Sequence, residues 1–133
     1  MLNSQKIANE LYQHLGRLFY AVAIVDKSIH IKELETLKEL VREYWLDLDT
    51  LEDEHGTDAG FQIEIIFDWL LEHEKEGESC YREFTDFYRQ HTEKFTPLVK
   101  KMTLDTAHAI AAAFAKKNKS ELILLAKLKL LFG

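Results

Sequence analysis

The histidine and carboxylate side chains of this chain are the ones that could bind a catalytic metal ion. Bundles that hold a di-iron centre use Glu-x-x-His pairs that face inward from two helices. The literal pair here is Glu52-x-x-His55, which lies in an acidic connection, and Asp105-x-x-His108 is a near match. A His/carboxylate metal bundle is therefore one hypothesis for this chain. It would draw on His55, His73, His91, His108, Glu64 and Asp68.

The same histidines have structural interpretations. His30, His73 and His91 occupy positions that are typical of surface or capping residues. His108 lies in the alanine-rich stretch TAHAIAAAFA, where we expect a hydrogen-bonded core histidine. Residue types and spacing alone leave both interpretations open.

The acidic connection that starts at Asp47, DLDTLEDEHGTDAG, is a second candidate for cation binding. A calcium loop of the EF-hand type needs a glycine at its sixth position and a glutamate at its twelfth. Counted from Asp47, these positions hold Glu52 and Asp58, and the missing glycine argues against an EF-hand. His55 and the two acidic residues before it could bind a transition metal loosely. The alternative is a solvated acidic loop.

Other catalytic signatures are missing from the sequence. It contains no Gly-rich phosphate loop, no serine nucleophile elbow and no Cys/His zinc spacing. Cys80 is the single cysteine, and we interpret it as a helix side chain without a chemical role. An unpaired cysteine and an N-terminus without a signal-peptide pattern predict a cytoplasmic protein. We therefore expect a protein that is not an enzyme.

The composition predicts an all-α protein. A chain of 133 residues has the size of a single domain, here residues 1–133, and its five glycines and one proline favour long helices with few turns. The net charge of -6 argues against nucleic acid as a partner, because phosphate binding needs a basic face. The longest apolar run, LFYAVAIV, is far too short to span a bilayer.

Hydrophobic periodicity predicts a bundle of about six helices. The expected start signals are side-chain caps at Ser4, Thr96, and either Thr57 or Asp58, with Pro97 as the first residue of the fifth helix. Gly77 is expected to end the third helix in the left-handed conformation. The first predicted helix starts at Ser4, the fourth at Glu78 or Ser79, and the sixth at Glu121. The second, third and fifth are predicted to span Ile31–Leu46, Ala59–Glu76 and Pro97–Lys116.

Side-chain patterns give further expectations for these helices. On the second helix, Glu35 and Glu39 should pair with Lys38 and Arg42 at a spacing of three residues. On the third, Phe61, Ile65 and Trp69 fall on one line. The fourth has a largely aromatic face that we expect to pack in the core, formed by Tyr81, Phe84, Phe87, Tyr88 and His91.

The last helix, ELILLAKLKLLF, is apolar on most sides apart from Lys127 and Lys129. Two explanations fit this pattern. Either the helix is well buried, or part of it contacts a protein partner, which includes a second copy of the chain as a homodimer.

An internal repeat is also predicted. Superposing Glu33 on Glu121 matches Leu37 with Leu125, and AVAIVDKSIHIKE then parallels AAAFAKKNKSE with a turn two residues shorter. Each copy is an apolar helix of small residues, a polar turn and an apolar helix that begins with Glu. The expected architecture is a bundle with a pseudo-two-fold repeat, whose other matched pairs are Leu34 with Leu122, Leu40 with Leu128 and Tyr44 with Phe132.

The turn residues of this repeat have a structural explanation of their own. With His30 as the cap, Glu33 is the third helical residue, where a glutamate can reach back to the cap backbone. Its charge also suits a helix N-terminus. Asp26 can accept hydrogen bonds from free N–H groups in the turn. Glu121 after Asn118 fits the same capping explanation.

The stretch Asp26-Lys27-Ser28-Ile29-His30-Ile31-Lys32-Glu33 resembles the Asp-Gly-x-Ile-x-x-x-Glu motif of the TerB (tellurite-resistance) family. The resemblance implies an all-helical fold with two pseudo-symmetric halves and acidic turn residues that are associated with divalent metal. It assigns Asp26 and Glu33 to the first half and Glu121 to the second. In this chain Lys27 replaces the motif glycine, and Lys116 stands at the place of the second aspartate.

The resemblance implies a non-enzymatic module of the stress or tellurite response, which would act by protein contacts or by weak binding of a divalent cation such as calcium, magnesium or zinc. The alternative is a helical interaction domain whose acidic residues only cap helices or face solvent.

Overall fold

The computed structural model describes the backbone of residues 2–24, 31–46, 56–114 and 119–133, and the side chains of residues 10–24, 35–45, 62–113 and 122–133. All regular structure in these ranges is helical, so the predicted all-α single-domain bundle is confirmed. A π-helical turn, Arg42–Leu46, follows α2, and a 3₁₀ turn, Thr92–Lys94, follows α4. The helices are α1 Leu2–Ala23, α2 Ile31–Val41, α3 Gly56–Glu72, α4 Gly77–Gln90, α5 Pro97–Phe114 and α6 Lys119–Phe132.

The first helix, α1, is the centre of the bundle. It packs against α3, α4 and α5 and also touches α6. Its second half is buried on almost every side, as the continuous apolar run in the sequence predicts. The helix begins at Leu2, so Ser4 lies inside its first turn and is not the predicted cap. The fully enclosed residues of α1 are Leu15, Leu18, Phe19 and Val22.

The second helix spans the predicted residues but changes its winding. It is α-helical to Val41 and continues as the π turn Arg42–Leu46. Leu37, Val41 and Trp45 bury their side chains against the core. The indole nitrogen of Trp45 donates a hydrogen bond to Thr106 Oγ1 at 3.0 Å, which ties the π turn to α5.

The two cations of this region pair differently from the prediction. Lys38 Nζ lies 2.8 Å from Asp68 Oδ1 on α3, and Arg42 binds both oxygens of Glu64 at 2.8 and 2.9 Å. The predicted pairs with Glu35 and Glu39 are therefore wrong. Because Glu64 is buried on the facing helix, its carboxylate needs a partner, and a two-pronged Arg contact is a stronger pairing than an exposed pair three residues apart.

The third helix begins earlier and ends earlier than predicted. It starts at Gly56, so Thr57 and Asp58 belong to its first turn and do not cap it. It ends at Glu72, and Glu74 takes the left-handed conformation with φ of 49°. The N–H groups of Glu74 and Lys75 bond to the carbonyls of Leu71 and Leu70, which is a Schellman closure.

The prediction that Gly77 would be the left-handed cap is wrong. Gly77 is the first residue of α4 and lies against α1, where an added Cβ would be 3.3 Å from Ile24 Cγ1 and 3.6 Å from Ala21 Cα. The glycine therefore lies where α4 approaches α1, and an added methyl group would touch Ile24 and Ala21 without overlapping them. The hydroxyl of Tyr20 lies 3.2 Å from the Lys75 carbonyl and so secures the chain just before α4.

The aromatic face of α4 and the start of α5 are confirmed. Phe84, Phe87 and Tyr88 are buried and make ring contacts with Phe95. The Val99 N–H donates to Thr96 Oγ1 at 3.2 Å, and Pro97 is the first residue of α5, as the Thr-Pro signal predicts. Among the described helices, none combines the length and the apolar character that a bilayer crossing requires.

Candidate functional site

The residues that the TerB resemblance selects are only partly within the described structure. Asp26 lies outside it, as does the turn that contains it. Glu33 is the third residue of α2, which begins at Ile31, and Glu121 is the third residue of α6, which begins at Lys119. The side chains of both glutamates are outside the described residues. Both α2 and α6 therefore have a glutamate as their third residue.

That position has two chemical consequences. A glutamate in the first turn is stabilised by the positive end of the helix dipole and can accept a bond from the cap N–H. A carboxylate is also the kind of hard oxygen ligand that calcium and magnesium prefer. The helix starts at Ile31 and Lys119 place both glutamates in the register that the capping explanation requires. Capping and metal binding both stay predictions, as does the repeat.

Only part of the acidic connection that starts at Asp47 lies within the described residues. Residues 47–55, which include His55 and the predicted loose metal ligands beside it, lie outside the described residues. From Gly56 the chain is helical, so Asp58 belongs to the first turn of α3. An acidic residue there is favourable next to the helix N-terminus.

Glu52 lies outside the described residues, and the other carboxylates of the di-iron hypothesis are in ion pairs. Glu64 is paired with Arg42, and Asp68 is paired with Lys38. Asp105 on α5 is paired with Lys101, at 2.7 Å. Within the described ranges there is no group of three His, Cys, Asp or Glu side chains that could hold a metal ion.

Of the predicted histidines, His73, His91 and His108 are within the described residues, and each has its own surroundings. His73 is exposed and stacks on Trp69 with ring centroids 4.2 Å apart, and His91 lies against Phe87. His108 is exposed, so its prediction as a core histidine is wrong. The buried face of α5 at this level is formed by Ala107, Ile110 and Ala111, and one residue along a helix turns a side chain away by 100°.

His14 is a partly buried titratable group that the sequence did not single out. Its ring stacks on Phe87 of α4 at 4.2 Å and an interplanar angle of 8°, and its Nδ1 lies 2.7 Å from the Glu10 carbonyl oxygen. Burial lowers the pKa of His14, and the hydrogen bond to Glu10 opposes that shift. The residue that encloses His14 comes from a distant part of the chain, so no local spacing marks it.

Cys80 agrees with its interpretation as an unreactive side chain. It is fully buried on α4, and burial raises the pKa of its thiol to about 11. A thiol with a raised pKa carries little of the thiolate that attacks electrophiles or binds metals.

The outer face of α6 exposes several apolar side chains. Leu130 is 81% exposed, and Leu122 and Ile123 are more than half exposed. The opposite side of the helix is buried through Leu125, Leu128 and Phe132. We call the outer set, with exposed Ala126, Lys127 and Lys129, the α6 face; at helical spacing the two lysines form its two edges.

A second apolar stripe is exposed on α3. Ile65 is 62% exposed and Trp69 is 40% exposed, whereas the buried side of α3 is formed by Ile63, Phe67 and Leu70. Asp68 and Glu72 are exposed beside this stripe. We call Ile65, Asp68, Trp69 and Glu72 the α3 face.

Both faces are surfaces that a protein partner can cover, because contiguous exposed apolar side chains rimmed by charge are typical of interaction sites. They are the strongest functional feature within the described structure. Comparison of the chain with protein-family models, with curated proteins and with solved structures finds no match.

Proposed function

We propose that this protein is a non-enzymatic helical module that acts by contacting another protein through the α6 face. The exposure of Leu122, Ile123 and Leu130 on one side of a helix is the observation that supports this proposal. The same helix is fixed to the bundle by its other side, so the face is presented on a rigid element.

The chemistry of the α6 face selects the class of partner. Full burial of a leucine or isoleucine side chain is worth about 1.5–3 kcal/mol, so three such side chains supply a useful part of a binding free energy. Lys127 and Lys129 on the two edges favour a partner with acidic residues beside its apolar stripe. An acidic amphipathic helix has this combination, and helix-on-helix contact suits a convex helical surface.

The TerB resemblance supplies the biological setting of the proposal. The match of Asp26 and Glu33 to the family motif supports a module of the stress or tellurite response. The single cysteine, in an acidic chain, is compatible with a cytoplasmic location. The partner would then be another protein of that response.

Affinity capture with the full chain tests the contact. A partner should be retained by the wild-type chain and lost with Leu130→Asp, because an aspartate on the α6 face removes apolar contact and repels an acidic partner. Gln90→Asp, on an exposed position of α4, is the matched control for the added charge. Quantitative mass spectrometry of the retained proteins reads the result. A set of retained proteins that is identical for all three chains contradicts the proposal.

Divalent-cation binding at Asp26, Glu33 and Glu121 is the second candidate, and the motif match favours it. Calcium, magnesium or zinc that binds only the folded chain should raise its stability, by about 2.7 kcal/mol at a hundred times the dissociation constant. Thermal melts in each ion measure this, and Asp26→Ala should remove the shift. If no ion shifts the melting temperature, metal binding is contradicted, and the alternative is a pure interaction domain whose acidic residues cap helices.

A further inference from the structure

We propose that the acidic amphipathic helix that fits the α6 face is α3 of a second copy of this chain, so that copies associate head to tail. This inference rests on the proposed function, because it names the partner of the same surface. It comes from two exposed apolar faces of opposite charge within one molecule.

The charges of the two helices are complementary. The α3 sequence contains Asp58, Glu64, Asp68 and Glu72 and no basic residue, and within the chain Glu64 is paired with Arg42 and Asp68 with Lys38. The α6 sequence contains three lysines and one glutamate, so it is basic within a chain whose net charge is -6. On the described surface, Glu72 and the Lys38-paired Asp68 border the α3 face, and Lys75 lies 5.4 Å from the Trp69 ring centroid. Lys127 and Lys129 border the α6 face.

The apolar side chains of the two faces are also arranged in a similar way. Each face presents apolar side chains from successive turns of a helix whose other side is packed in the bundle. Trp69 and Ile65 are the anchors on α3, and aromatic anchors commonly carry the binding energy of an interface. Leu130 and Ile123 are the corresponding apolar side chains on α6. A helix-on-helix contact buries all of them together.

A symmetric contact between two α6 faces fits less well. Antiparallel packing of α6 on its own copy would bring Lys127 and Lys129 of both copies into one interface. Like charges brought together weaken association and are a common means by which interfaces reject a wrong pairing. The contact between α6 of one copy and α3 of the next avoids this repulsion. It is heterologous, so it leaves one free face at each end and permits rings or chains.

Sedimentation velocity of the purified full chain over a wide range of concentration tests the proposal. The wild-type chain should show a sedimentation coefficient that rises with concentration, and added salt should weaken the rise. Leu130→Asp and Ile65→Lys should each weaken association by at least about tenfold, since each removes an apolar contact and places a like charge against the opposite face. Both positions are largely exposed, so thermal melts should stay close to wild type.

An equimolar mixture of the two variants is the decisive sample. Leu130→Asp retains an intact α3 face, and Ile65→Lys retains an intact α6 face, so the mixture should associate although neither variant does so alone. Gln90→Asp and Gln90→Lys, exposed on α4, are the charge-matched controls and should associate like wild type.

Each other outcome overturns the inference in a recognisable way. Association of Ile65→Lys alone would indicate a symmetric α6 contact. A mixture that stays monomeric would show that the two faces do not bind each other. A wild-type chain that is monomeric at every concentration also overturns the inference. The proposed function would survive that result if affinity capture still found a partner that Leu130→Asp loses.

Discussion

Trp45→Ala will lower the free energy of unfolding by about 3–5 kcal/mol, because it removes an enclosed aromatic side chain and leaves a cavity. Trp45 is 1% exposed, and its ring lies 6.2 Å from that of Phe19. Domains of this size are stable by only about 5–15 kcal/mol, so the loss is a large share of the total. Urea unfolding followed by far-UV circular dichroism measures the change without depending on tryptophan fluorescence.

Part of the loss comes from one buried hydrogen bond. The Thr106 hydroxyl accepts from the Trp45 indole at 3.0 Å and donates to the Met102 carbonyl at 2.7 Å. Thr106→Val leaves the indole N–H without a partner, which costs about 1–3 kcal/mol. Combining it with Trp45→Phe removes both partners, so the double variant should lose less than the sum of the two single losses.

The second tryptophan is the matched control. Trp69 is 40% exposed on the α3 face, and Trp69→Ala should lower the free energy of unfolding by less than about 1 kcal/mol. Equal losses for the two alanine variants would contradict the packing of Trp45, in the π turn, against α1 and α5.

The order of the helices was predictable because its signals are local. The single proline, directly after Thr96, is enough to locate the start of α5. Apolar residues at helical spacing, with few glycines among them, are enough to locate α1. The ends of α3 were not predictable in the same way. The left-handed position that a glycine usually takes is held by Glu74, while Gly77 lies where α4 approaches Ala21. That choice depends on a helix that lies more than fifty residues earlier in the chain.

The exposed face of α3 shows a second limit of the sequence. The stretch FQIEIIFDWLL has apolar residues on several sides, so its period does not decide which side is buried. The packing of α3 against α1 and the π turn decides it, and Ile65 and Trp69 are left at the surface. For the candidate site, the motif from Asp26 to Glu33 was visible in the sequence. The pairing of acidic and basic apolar faces required knowledge of which side chains remain exposed.

Gly16→Ala will destabilise the protein by up to about 2 kcal/mol, although alanine is the better helix former by about 1 kcal/mol. An added Cβ at Gly16 would overlap Ile66 Cγ2 and lie 3.3 Å from the Ile63 carbonyl oxygen, where α1 crosses α3. The Cγ2 branch of isoleucine is fixed at its Cβ and cannot move without turning the whole side chain. The cost of overpacking, about 1–3 kcal/mol, therefore exceeds the gain in helix propensity.

A double-mutant cycle separates this overlap from other effects of the substitution. Ile66→Ala removes the branch, so Gly16→Ala should be neutral or stabilising in that background, and the coupling free energy should be favourable. Gly77→Ala is the control, because its Cβ would meet only the Ile24 side chain at 3.3 Å and Ala21 at 3.6 Å. Its change should stay within about 1 kcal/mol of wild type. If Gly16→Ala alone raised the stability, the close contact between α1 at Gly16 and α3 at Ile66 would be contradicted.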